Sequence, residues 1–92
     1  MVMSVMYHKV EDFDRWKKAF DDFYDFRKAN GELSYSVGYL HGDRNTAVVI
    51  NGWESVGIMD AFVSSEELKN AMKEAGVLEP PTALVIEEVD RS

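Results

Sequence analysis

At Asp12 the hydrophobic pattern of this chain changes its period, and that change constrains the fold more than any other feature. Before it, Val2–Lys9 (VMSVMYHK) is dense in Val, Met and Tyr, as a strand is. After it, Phe13, Trp16, Phe20, Phe23, Tyr24 and Arg27 recur at steps of three and four residues, the stripe of one long amphipathic helix. Asp12 supplies an N-cap, Arg27 and Lys28 suit the negative C-terminal end of the helix dipole, and Asn30-Gly31 stops it.

The period then returns to that of strands. Leu33 to His41 and Thr46 to Trp53 are β-rich runs separated by Gly42-Asp43-Arg44-Asn45, the chemistry of a hairpin, so they are expected to pair antiparallel. Ser55 can cap a short helix through Met59, Phe62 and Val63. Ser64-Ser65-Glu66-Glu67 offers a capping box for a second segment that ends at Gly76. Pro80-Pro81 forces an extended lead into Thr82 to Val89, whose Ala-Leu-Val-Ile centre reads as a buried strand. The order β-α-β-β-α-β, with a broken second helix, predicts an α+β, ferredoxin-like fold: a four-stranded antiparallel sheet with its helices on one face. With 92 residues, one such domain is expected to span 1–92.

That arrangement leaves the other sheet face bare, and Tyr7, Val48 and Ile50 are among the apolar residues that could lie on it. An apolar face of this size is expected to be covered, here by a second copy, so the sequence predicts a homodimer. Composition narrows the function. The chain is 46% hydrophobic, so it is built to fold, and its formal net charge of −7 repels a phosphate backbone, so no nucleic-acid partner is expected. It has no Cys, which removes disulfides, thiolate nucleophiles and thiolate metal sites. No stretch approaches the ~20 apolar residues of a membrane span, so no membrane partner and a cytoplasmic location are expected. GxGxxG, P-loop, GxSxG and HExxH motifs are absent.

Trp53-Glu54-Ser55, followed by Ala61-Phe62, Ser65, Leu68 and Ala71, resembles the antibiotic-biosynthesis-monooxygenase-like members of the dimeric α+β barrel superfamily. The stretch His8 to Trp16 (HKVEDFDRW) is similar to small proteins of the same superfamily, and the likeness in element order runs from Val2 to Val89. The resemblance implies dimerisation through the bare sheet face into an α+β barrel, and a pocket between sheet and helices. In the haem-degrading branch an Asn, a Trp and a haem-ligating His surround the cofactor. Here His8, Trp53 and Met72 stand at those three positions. A thioether is not the imidazole that the branch uses on iron, so no haem is expected, nor any other cofactor.

The residues themselves leave alternatives open. His8, with Ser4 and Met6 on one face of its strand, is either a general base for an acidic phenol or enol or a strand-end structural His. Trp53 is a pocket wall for a flat ligand or the core anchor between strand and helix. Phe62, Leu68 and Met72 line a pocket or simply pack. Tyr35 and Tyr39 share one side of their strand and present hydroxyls to a ligand or to a dimer interface. His8 and His41 lack the local spacing and third ligand of a metal site, so none is expected. The function expected is the binding of an apolar or aromatic small molecule by a homodimer. The alternative is a cofactor-independent monooxygenase or isomerase with His8 as its base.

Overall fold

The computed structural model describes residues 1–92. The elements are β1 (Val2–Lys9), α1 (Phe13–Asp22), α2 (Tyr24–Ala29), β2 (Glu32–Leu40), β3 (Asp43–Trp53), α3 (Val56–Val63), α4 (Glu66–Glu74) and β4 (Thr82–Glu87). They form one antiparallel sheet in the order β2-β3-β1-β4, the ferredoxin-like arrangement that the sequence predicts. No helix is long and apolar enough to cross a membrane.

Strand register decides which side chains meet the helices. Val2, Ser4, Met6 and His8 of β1 stand opposite Trp53, Asn51, Val49 and Ala47 of β3, and this face carries the packing. Two hydrophobic clusters form on it. Val10, Trp16, Ala47, Val49 and Ala75 make one, and Val2, Trp53, Met59 and Phe62 the other. In β2 the matching residues are Tyr35, Val37 and Tyr39, which settles the parity left open by the sequence.

Three expectations need correction. The first helix is two, not one, and the break lies at Phe23, where ψ is 3°. Arg27 causes it in part, because its Nη1 donates to the carbonyl of Phe20 and inserts a side chain where the helical ladder would run. The capping box before α4 does not close: Ser65 accepts from the Leu68 N–H at 3.2 Å, and the residue three positions on is an apolar Leu. Finally, β4 is not buried. It is an edge strand paired to β1 alone, and all six of its residues are exposed, Leu84 to 61%.

On the face away from the helices, Val5 stands between Ile50 and Leu84, and Tyr7 between Val48 and Thr82. Tyr7, Ile50, Leu84 and Ile86 are all exposed there. The turn into β2 depends on Gly31, whose φ is +104° and where an added Cβ would collide with Ile58 Cγ2. Both effects oppose a side chain. Gly31→Ala is expected to destabilise the fold by roughly 1–3 kcal/mol, read as a lower midpoint in urea; an unchanged midpoint would show that this turn and α3 adjust freely.

Candidate functional site

Between the sheet and the helices lies a cavity of about 530 Å³. Its floor is Met6, His8, Val49 and Asn51 from β1 and β3; Trp16, Phe20, Phe23 and Arg27 wall one side, and Phe62, Leu68 and Met72 the other. The void exists because α4 does not seat on the sheet. That helix has an apolar side, yet none of its residues is fully buried: Leu68 packs on the edge of the cluster around Trp53 and Phe62 and also lines the cavity, and Ala71 and Met72 line the cavity farther along. The cavity takes wall residues from both hydrophobic clusters and so lies between them.

Two polar ends interrupt the apolar lining. At one, His8 is 6% exposed and neither ring nitrogen has a hydrogen-bond partner. The ring meets Trp16 edge-on at 5.8 Å. Burial pushes its pKa below the ordinary 6.5, against the opposing pull of the Glu79 carboxylate. The imidazole is therefore neutral at pH 7, with both ring nitrogens unpartnered and closed off from solvent.

The other end is a buried polar chain. Trp53 Nε1 donates to Ser4 Oγ at 2.9 Å, and Ser4 Oγ to Asn51 Oδ1 at 3.4 Å. Asn51 Nδ2 donates to Glu32 Oε2 at 2.6 Å, and Arg27 Nε is shared between the two Glu32 oxygens at 3.2 and 3.1 Å. The guanidinium lies 3.5 Å over the Phe20 ring centroid. Arg27 is 3% exposed, and its Nη2 is shut from solvent without a partner. Because Asn51 stands opposite Ser4, four residues along β1 from His8, the two ends are ~13 Å apart at the strand rise of about 3.3 Å per residue.

The structure brings together four of the residues expected at a site, His8, Phe62, Leu68 and Met72. It places Trp53, Tyr35 and Tyr39 elsewhere. Trp53 is wholly buried, with its N–H used by Ser4 and its ring 5.2 Å from Phe62, so its surface is consumed by the core. Tyr35 packs on Phe20 and over Arg27, and Tyr39 on Phe13, outside α1 at the β2 edge. Both are on the helix side, not on the bare face. Arg27, Glu32 and Asn51 were missed. The signal was Arg27 itself, a charge in register with an aromatic stripe, which reads equally well as a helix-end cation.

No protein-family model matches the chain, and no curated protein matches it in sequence. Solved structures do match in shape. An antibiotic biosynthesis monooxygenase superposes with a TM-score of 0.75 at 14% identity, covering 98% of this chain and 100% of its own. The fold is that of the antibiotic-biosynthesis-monooxygenase-like proteins. SnoaB from Streptomyces nogalater, a cofactor-independent oxygenase, gives 0.78 at 12% identity over 98% of this chain and 94% of its own. A protein of unknown function from Nitrosomonas europaea gives 0.77 at 10% over 99% and 91%. One fold thus carries different proteins, and any activity must be read from the site.

The buried imidazole has a consequence for stability. Since the folded-state pKa lies below the unfolded one, the unfolded chain binds more protons between the two values. The folded state is thus fully favoured above the ordinary His value and loses that advantage as pH falls below it. The urea midpoint is expected to drop from roughly pH 7.5 to about pH 5.5. His8→Gln should flatten that drop, and an equal slope in both proteins would show that His8 is not its source.

Proposed function

We propose that this protein is a homodimer that binds a flat, largely apolar small molecule in the cavity between sheet and helices. The observation that carries this reading is the void itself. Its volume falls within the ~300–1,000 Å³ of small-molecule sites, and its lining is apolar with a few convergent polar groups. The space is partly open to solvent, so in a chain of 92 residues it leaves apolar surface wet that a small core can ill spare. A ligand would fill it and give Ala71 and Met72 of α4 an apolar partner. The homodimer rests on Tyr7, Ile50, Leu84 and Ile86, a contiguous apolar patch that a second sheet would cover. Native mass spectrometry of freshly purified protein tests both parts: ions at twice 10.5 kDa carrying a retained small mass are expected. Monomers that stay empty through repeated preparations would overturn the reading.

A second, catalytic reading is favoured by the unpartnered neutral imidazole of His8. Such a base, once its ring turns a nitrogen toward the cavity, can take the proton of a phenol or enol and leave an electron-rich anion. The anion supplies four electrons to dioxygen: one oxygen atom enters the ring as a new carbonyl, and the other leaves as water. Without dioxygen the same abstraction would move a double bond, as in an isomerase. SnoaB shows that the fold can host oxygen chemistry without a cofactor. Oxygen uptake with a panel of phenols and hydroquinones is expected to fall by about 10²-fold in His8→Ala, the lower range for a general base. Equal rates in the two proteins would remove His8 from the mechanism.

A further inference from the structure

Four of the residues that line the cavity are also exposed: Lys69 and Lys73 of α4, and Glu79 and Pro80 before β4. A residue that meets both the void and solvent stands at the opening, so the mouth of the cavity carries charge. The two lysines are one helical turn apart on one face of α4, next to Leu68 and Met72. Lysines so placed lay their stems on the apolar rim and keep the ammonium groups in water.

These two are also among the least neutralised cations of the fold. Eight of the ten Lys and Arg side chains have a carboxylate partner, and seven of those pairs are 3.1 Å or shorter. The eighth is Lys69, which lies 3.8 Å from Glu66 and is 59% exposed. Lys73 has no carboxylate partner, although the chain has 17 acidic residues to offer one. The other unpaired cation, Lys28, is outside the cavity lining and lies 6.0 Å from the Tyr24 ring centroid. Glu79 opposes the lysines at the mouth, but its Oε1 accepts from the backbone N–H of Lys9 at 3.2 Å, which ties that carboxylate to the end of β1.

We infer that the ligand is an amphipathic acid, with its apolar body in the cavity and its carboxylate left at the mouth beside Lys69 and Lys73. A carboxylate in that place stays hydrated and avoids the heavy cost of entering the apolar interior. The net charge of −7 does not forbid it, because fields from distant groups are screened beyond ~8 Å at physiological ionic strength and the adjacent ammonium groups decide. The inference rests on the proposed pocket and names the end of the ligand that the pocket leaves outside.

One ring system with three end groups tests it. Binding of naphthylbutyrate, naphthylbutanol and naphthylbutylamine to the whole protein is measured by calorimetry at neutral pH, in low and in high salt. Exposed ion pairs are worth about threefold each, so the acid is expected to bind about tenfold more tightly than the alcohol in low salt, with the amine weakest and the spread narrowing in high salt. Lys73→Gln should cut the advantage of the acid by about threefold, and adding Lys69→Gln should erase it. Glutamine matches lysine as a helix former, and an unchanged affinity for the alcohol shows that the cavity survives the substitutions. Lys28→Gln removes the same charge away from the cavity and should leave the preference intact. Equal binding of the three probes would overturn the assignment and leave the apolar pocket standing. So would a preference for the acid that survives the double substitution or falls as far in Lys28→Gln, and a preference for the amine would give the mouth to Glu79 instead. If none of the three binds, the pocket reading falls with the inference.

Discussion

The ion pair of Arg27 and Glu32 ties together more of this fold than any other contact. It joins α2 to β2 and, through Asn51 and Ser4, reaches β3, β1 and the indole of Trp53. A buried pair of this kind is not in itself a source of great stability, because desolvating two charges costs about as much as their attraction returns. Its effect is on specificity. Once Glu32 and Asn51 are buried, only an arrangement that satisfies both is tolerable, and that arrangement fixes the seat of α2 and bends the chain at Phe23.

The bend has a structural consequence. With the long helix broken, α1 packs on Val49 and Ala47 while Phe23 and Phe26 turn toward Phe62, and the core divides into two clusters. The space between them is the cavity. On its far side α4 is anchored at its cap by Ser65 and at its end by Ala75, but its middle spans the opening. The aromatic and methionine content of the chain is therefore divided between packing the two clusters and walling a void.

Much of the fold was legible in the sequence, since local chemistry encodes it. The Asp12 and Ser55 caps, the Gly31 and Gly76 stops with their positive φ, and the hairpin after Leu40 all act over a few residues. The site was legible only in part. His8, Phe62, Leu68 and Met72 could be placed from strand parity and helix spacing. Glu32 and Asn51 could not, because nothing local distinguishes a strand-start Glu or a strand Asn that is buried from one that faces water. Trp53 misled for the opposite reason: its size suits a pocket wall and a core equally, and the choice depends on whether Ser4 lies within reach of its N–H.

By itself the sequence determined the order, type and ends of the elements, and a sheet with one face covered and one bare, because periodicity and capping are properties of neighbouring residues. Only the tertiary structure decided that β4 is an exposed edge, that Arg27 turns inward to neutralise Glu32, and that two clusters stand apart around a cavity. Those outcomes depend on charges and surfaces brought together from distant parts of the chain. Burial and charge balance are settled by what arrives from the other elements, not by the residue that is buried.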